Sequence, residues 1–323
     1  MLRQHNVVNT VRKLSLAMRW KKQWMLQLFA LTGILYLLIF SYFPMFGIII
    51  AFKKYSIISG ISGFFTSPWV GVKHFREFFT DYRFPNLLRN TLAICSLKLL
   101  FAFPVPILFA VMINEIHNHT FKRVVQTVSY FPHFISWVVI TGMLMNLFSI
   151  NNGAVNQLLL AWGWIKVPLS IMIDPDAYWA LAVISDVWKE TGWWSIIFLA
   201  AIADIDQNLY EAAYIDGAGR RKCIRYITLP AIKGSMIVVL ILALGSFLGG
   251  GLSGSNFEQS LLLGTPLNNS RSEIIQSYSF KVGLTEGRFD YAAAVDLIQS
   301  LISVTLVFCS NAVSRKISGS SLF

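Results

Sequence analysis

Charge is scarce in this chain. Asp, Glu, Lys and Arg make up 13% of its 323 residues, against about a quarter in a typical soluble domain, which excludes an ordinary water-exposed globule. Cysteine is scarce too. Cys95 and Cys309 fall in apolar runs and Cys223 in a basic stretch, an arrangement that offers neither a disulfide framework nor a thiolate metal site. Of the five histidines, His117 and His119 lie close together, but no cysteine or carboxylate group completes a ligand set beside them. His133, within YFPHFISW, reads as a structural residue of a bundle interior. A phosphate-binding loop needs G-x-x-x-x-G-K-[ST]; the nearest approach, GGGLSGS over 249–255, has no lysine, so ATP is not bound by that route. There is no Gly-x-Ser-x-Gly elbow, no zinc-protease motif, no internal repeat and no low-complexity tract.

Apolar length is what the chain has in abundance. Hydrophobic residues are 55% of the total, and six segments come near or exceed the ~20 residues needed to cross a bilayer: 25–52, 91–113, 124–149, 178–203, 234–252 and 291–312. The first is not a secretion signal: it is too long, starts only at residue 25, and no small-residue cleavage pattern follows it. Residues 1–24 are basic and weakly amphipathic and are read as an interfacial helix on the inner membrane surface, with 25–323 forming one transmembrane domain. With the N-terminus inside, the inner segments (1–24, 114–123, 204–233, 313–323) hold 15 Lys and Arg, and the longer outer loops hold 10. The positive-inside bias therefore places both termini and the 204–233 loop in the cytoplasm. One outer loop, 53–90, runs against that bias with Lys53, Lys54, Lys73, Arg76, Arg83 and Arg89. The net charge of +11 is accounted for by basic loops facing anionic lipid, without nucleic acid.

Between the fourth and fifth segments lies a polar insert, EAAYIDGAGRRKCIRYITLP, over 211–230. A helix can start near Asp206 or Asn208, both good N-cap types, with Glu211 in its first turn where the helix dipole favours an anion. Gly217 and Gly219 permit positive φ and a sharp exit. Arg220, Arg221, Lys222 and Arg225 form a basic turn, and Pro230 suits the first turn of the following span. The expected product is a short helix roughly parallel to the membrane, able to sit in a groove on a soluble partner and transmit a rigid-body push.

Glu211-Ala212-Ala213, then Asp216-Gly217-Ala218, then Ile227-Thr228-Leu229-Pro230 resemble, in order and spacing, the coupling loop of permease subunits of bacterial ATP-binding cassette importers. Arg221 departs from the pattern, since many relatives carry an aromatic there. The run SPWVGVKHFREFFTDYRFPNLLRNTL over 67–92 is similar to the first outer loop of sugar-importer permeases, and the ending SRKISGSSLF resembles the tail of the oligosaccharide-importing branch. The resemblance implies an all-α integral membrane protein of six spans, the last five forming a type I importer bundle with a cytoplasmic coupling helix. Carried onto this sequence, it assigns ATPase coupling to Glu211, Ala212, Ala213, Asp216, Gly217, Ala218, Leu229 and Pro230. It implies a transport subunit of the bacterial inner membrane that is not itself an enzyme and binds no cofactor. The implied partners are a second permease subunit, two ATPase subunits carrying ATP and Mg, and an extracytoplasmic solute-binding protein. Uronate-containing oligosaccharides such as alginate or pectin fragments are the expected cargo. An ion-coupled secondary transporter or channel would also be polytopic, but would have no reason to carry the 211–230 loop. A membrane-embedded enzyme would lack a nucleophile or metal set beside its carboxylates.

Polar residues inside spans point to function by default. Asp186, Lys189, Glu190 and Trp193 of span four are spaced by three and four and share a helical face near mid-membrane, with Trp188 beside them. Span six adds Asp296, Gln299, Ser300 and Ser303, span three adds Asn146, and Lys98 lies within span two. Two readings stay open: Lys189 neutralises a carboxylate and the stripe packs helices together, or carboxylates and indoles line a sugar path. Gly245, Ser246, Gly249 and Gly250 suit close helix contact. An amphipathic helix is expected over 272–284, with Ile274, Ile275, Tyr278 and Val282 on one side, acting as a docking surface or as a self-packed lid.

Overall fold

The computed structural model describes residues 23–318, so the interfacial helix expected over 1–24 lies almost wholly outside the described residues, as does the end of the basic tail. Among the described residues there are helices and no strand, with one isolated antiparallel bridge between Lys53 and Trp69. Trp24–Phe52, Phe84–Asn114 and Phe289–Ala312 are long and apolar enough to cross a membrane, and two bent helix pairs bring the number to five if each counts as one span. The other long helix, Pro175–Ala203, is charged in its middle, where Asp186, Lys189 and Glu190 are all buried.

Span one matches its expected bounds but is not uniform. It runs as an α-helix to Leu37 and widens into a π turn over Leu38–Tyr42, where the Phe43 N–H reaches back five residues to Leu38 O. Pro44 follows at once. The same device recurs at Pro230: a π turn over Ile224–Thr228 closes with the Leu229 N–H on Ile224 O, one residue ahead of the proline. A proline ring collides with the carbonyl four residues before it and leaves that acceptor without a donor. A wide turn just upstream makes room for the ring and redirects the ladder.

Span two starts at Phe84, earlier than the hydropathy suggested, because Pro85 sits in its first turn and Asp81 Oδ1 accepts from the Arg83 N–H at 2.8 Å. Span three does not cross as one rod. His119–Phe134 and Trp137–Leu147 meet at 101°, for identifiable local reasons. Pro132 cannot donate to the ladder, the backbone turns extended at Ile135, and Ser136 restarts a helix by accepting from the Val139 N–H. Just before that break, span three presses on span four: a Cβ added at Gly192 would lie 2.0 Å from Ser129 O. Glycine is required there for the backbones to meet.

Span five also departs from the expected 234–252. The helix Lys233–Gly245 has 13 residues, or ~20 Å at 1.5 Å per residue, less than the ~30 Å hydrocarbon core. It meets Arg220–Ala231 at 59°. Its small residues do not form a packing stripe: a Cβ on Gly245 would touch Val307, but Gly249 faces open space. Gly250, at φ 115°, instead turns the chain back into a buried helix, Asn256–Leu263.

Span four is the spine. It packs on both halves of span two, and its loop-end residues Phe198 and Ile202 join Ile107, Ala110, Val111 and Val239 in one apolar cluster. At the opposite end, the helix expected over 272–284 is present as Ile275–Thr285. Its Ile275, Tyr278 and Val282 pack with Phe78, Leu87, Tyr291 and Val295, so that face is occupied by the protein itself. Tyr278 Oη donates to Asp81 Oδ2 at 2.6 Å; burial and this bond push the hydroxyl above its usual pKa.

Candidate functional site

The 204–233 loop is locally well built. Asp206 caps the helix Gln207–Ile215, its carboxylate accepting from the Asn208 N–H at 3.0 Å. The exit is a Schellman turn: Gly217 at φ 74° donates to Tyr214 O at 3.1 Å and Ala218 to Ala213 O at 2.8 Å. Gly219 differs from expectation. Its φ is −77°, so Gly217 alone makes the left-handed turn and Gly219 only precedes the next helix. Pro230 also differs: it sits at the end of the Arg220–Ala231 limb, before the bend, and does not open span five. Tyr210 Oη and Thr228 Oγ1, 2.9 Å apart, staple the helix to the returning limb, and Tyr210, Ile224, Ile227 and Leu229 pack on the apolar cluster of spans two and four. The outward face keeps Glu211, Ala212, Asp216 and Gly217 exposed together with Tyr214 and Ile215. A rigid, partly apolar knob on a seated base is a suitable lever for a soluble partner.

The span-four charges divide into two clusters. Asp186 is not paired with Lys189. Its partner is Lys98 of span two, whose Nζ donates to Asp186 Oδ1 at 3.2 Å, Ser255 Oγ at 2.9 Å and Gln259 Oε1 at 2.5 Å. All three ammonium donors are thereby used. Ser255 Oγ adds a 2.6 Å bond to the same carboxylate, and Gln259 Nε2 donates to Ala182 O. Lys98 and Asp186 are each 1% exposed, so this cluster is sealed and ties span two, span four and the helix Asn256–Leu263 together. Lys98, like Lys189, stands as a charge within an apolar span, but nothing near it in sequence says what it meets.

Lys189 forms the second cluster. It donates to His133 O at 2.5 Å and to Glu190 Oε1 at 3.1 Å, while His133 Nδ1 lies 2.8 Å from Glu190 Oε2. Trp193 stacks on the His133 ring, centroids 4.3 Å apart and planes 2° from parallel. The cluster thus braces the break in span three against span four, with His133 at the junction. Lys189 and His133 border a 470 Å³ recess that also includes Glu258. Trp188 points elsewhere, into an apolar recess with Ile140, Met143 and Leu147. Asn146 is exposed and bonds only to Gly142 O of its own helix. The expectation of one shared face for Asp186, Lys189, Glu190 and Trp193 therefore gives way to two separate functions on adjoining sides of one helix.

A large cavity lies on span six. It measures 850 Å³ and is lined by Asp296, Gln299, Ser300 and Ser303, by Gln276 and Ser279 of the far-end helix, and by Ser246 and Gly249 where span five breaks. The Oε1 atoms of Gln299 and Gln276 are buried there without a hydrogen-bond partner. Such a volume is that of a small-molecule site. No lysine, arginine or histidine lines it. Span six was expected to carry one polar face; the contributions of Gln276 and Ser279, far from it in sequence, were not.

Known proteins agree with this geometry. Protein LplB of Bacillus subtilis (strain 168) is 42% identical over 94% of this chain and 92% of its own length. The polygalacturonan/rhamnogalacturonan transport system permease protein YteP of the same organism is 40% identical over 90% and 88%. The crystal structure of a bacterial ABC transporter involved in the import of the acidic polysaccharide alginate contains a chain with TM-score 0.85 and 36% identity, covering 94% of this chain and 99% of that one. A second structure, of a bacterial alginate ABC transporter with an alginate pentasaccharide-bound periplasmic protein, gives TM-score 0.84 at 34% identity. The family described as binding-protein-dependent transport system inner membrane component matches residues 102–318. The chain belongs to that family, as a permease subunit of an ABC importer of sugars or oligosaccharides.

Proposed function

We propose that this permease imports uronate-containing oligosaccharides and that its share of their path is the 850 Å³ cavity on span six. The observation that carries this reading is a group of polar side chains, Asp296, Gln299, Ser300 and Ser303 with Gln276 and Ser279, set in the cavity's otherwise apolar wall beside Phe257, Phe280 and Phe289. Hydroxyl-rich ligands suit such a lining, since hydroxyls and amides can exchange hydrogen bonds with them and the rings can pack on sugar faces. The acidic character of the cargo rests on the names of relatives, the polygalacturonan/rhamnogalacturonan permease and the alginate importer. Because this wall has no cation, sugar carboxylates would be met by the second permease subunit across the cavity. Lys189, already committed to Glu190 and His133, is not their counter-charge.

The remaining parts follow the same reading. Two ATPase subunits, holding ATP and Mg, receive the knob formed by Glu211, Ala212, Ala213, Asp216, Gly217 and Ala218, while Leu229 and Pro230 anchor its return limb. Closure of those subunits pushes the knob, and the push reaches spans two and four through the apolar cluster beneath Tyr210 and Leu229. A solute-binding protein delivers the sugar at the opposite end, and both termini lie in the cytoplasm. The test is ATP hydrolysis by the assembled complex in liposomes, with the binding protein loaded with a uronate oligomer or with a neutral one of equal length. Stimulation by the uronate oligomer is expected. Stimulation by the neutral oligomer alone would remove the acidic-sugar reading and leave the importer assignment intact.

A further inference from the structure

Residues 55–72 contain no Asp, Glu, Lys, Arg or His, yet they lie in the loop at the end of the bundle opposite 204–233, between Lys53–Lys54 and Lys73. The segment is firmly built. Gly60 holds a conformation (φ 52°, ψ −146°) open in practice only to glycine. A Cβ on Gly63 would come within 2.8 Å of Ser59 and 2.9 Å of Tyr55. Tyr55 packs on Phe64, and its Oη donates to Gly60 O at 3.2 Å. Lys53 Nζ donates to Phe64 O at 2.6 Å and Phe65 O at 3.2 Å, tying the segment to the end of span one.

This rigid structure turns its apolar side chains outward. Ile58 is 94% exposed, Ile61 82% and Phe65 83%, with Ile57 beside them. Trp69, also exposed, stacks on Phe52, the last residue of span one, which sets the segment at the depth where that span leaves the hydrocarbon. Lys54, Lys73 and Arg76 are exposed around it. An ordered apolar face, an aromatic at the end of a span and a basic border are the features of a segment lying in the bilayer interface.

We propose that residues 55–72 form an interfacial anchor in the leaflet at the end opposite 204–233. Ile57, Ile58, Ile61 and Phe65 enter the acyl region, and Lys54, Lys73 and Arg76 meet phospholipid phosphates. The anchor accounts for the one loop that runs against the positive-inside bias: its cations border a lipid-bound element. The proposal rests on this chain spanning a membrane as a permease; it does not depend on the cargo or on which side the termini lie.

The experiment uses the full chain, assembled with its partner subunits in liposomes. In a Cys309→Ser background, where Cys95 and Cys223 are buried, Ile61→Cys and, separately, Phe65→Cys carry an environment-sensitive fluorophore. Quenching by lipids brominated near the head of the acyl chain, stronger than by lipids brominated near its end and stronger than by aqueous iodide, is expected at both positions. Quenching by iodide and not by lipid overturns the anchor, because the face is then in water. Protection from both also overturns it, because a protein then covers the face. In liposomes containing phosphatidylglycerol, Lys54→Gln and Lys73→Gln should each weaken apparent binding of that lipid, read by thermal shift, by about fivefold. An unchanged response would remove the lysines' part in it.

Discussion

Two of the polar clusters in the membrane-spanning region of this protein are built on opposite plans. Around Lys98 and Asp186 the ammonium uses all three of its donors, both charges are 1% exposed, and three separate elements are tied together. Around Asp296 and Gln299 polar side chains line an 850 Å³ cavity together with Phe257, Phe280 and Phe289. The first arrangement stabilises the bundle and leaves nothing for a ligand to bind. The second leaves polar side chains on an open cavity. Polarity in a span therefore does not by itself identify a transport path.

The comparison breaks most visibly if Lys98 is removed. Lys98→Met leaves Asp186 buried without its cation, a change that costs ~3–5 kcal/mol, so little assembled complex should survive size-exclusion chromatography. Lys98→Met combined with Asp186→Leu should recover much of it, since replacing a whole buried pair with apolar residues is often close to neutral. A double variant no better than the single one would mean that the pair itself is not what matters.

Gly217→Val tests strain without burial. A β-branched residue at φ 74° costs ~1–3 kcal/mol, here in an exposed loop, so the complex should assemble while sugar uptake falls by about tenfold or more. Wild-type uptake and sugar-stimulated ATP hydrolysis in this variant, or in Glu211→Lys, would sink the coupling role of the loop.

Asp296→Asn and Gln299→Leu should leave assembly unchanged and lower uptake, each by the value of a hydrogen bond, ~1 kcal/mol, or about fivefold. Asp296→Asn should also favour uronate over neutral oligomers, by removing a like charge from the wall. Loss of assembly in these variants would place the span-six face with the sealed cluster. Lys189→Met should reduce uptake of acidic and neutral sugars equally, in step with the amount of intact complex. The smallest effect is expected from Trp193→Ala, which loses the stack on His133, worth ~0.5–1.5 kcal/mol, and should lower the thermal stability of the complex slightly.

The coupling loop was legible in the sequence because its geometry is local. Asp206 and Gly217 each act on residues within five positions of themselves, and a one-dimensional pattern records that. Pro230, expected to open the next span, instead ends the limb before it, and Glu211, expected in the helix's first turn, stands fifth in Gln207–Ile215. The spans were legible as apolar length, but hydropathy is blind to Pro132 with Ser136 and to Gly250, which break spans three and five without changing their mean polarity. The pairing of Asp186 was out of reach: Lys98 lies 88 residues away, whereas Lys189 stands three away on the same helix and looked the nearer partner. The cavity was half legible, since Asp296 and Gln299 recur at helical spacing while Gln276 and Ser279 arrive from another segment.

The two π turns ahead of Pro44 and Pro230 bear on how such a chain tolerates changes in length. An extra or missing residue inside an α-helix rotates everything beyond it by about 100°, which would turn an apolar face from lipid toward the cavity. Leu38–Tyr42 and Ile224–Thr228 already hold one residue more than an α turn needs. Deleting one residue from either tightens the helix locally and leaves the elements beyond it close to register. This chain should therefore tolerate loss of a single residue better at these two turns, each set ahead of a proline, than elsewhere in its spans.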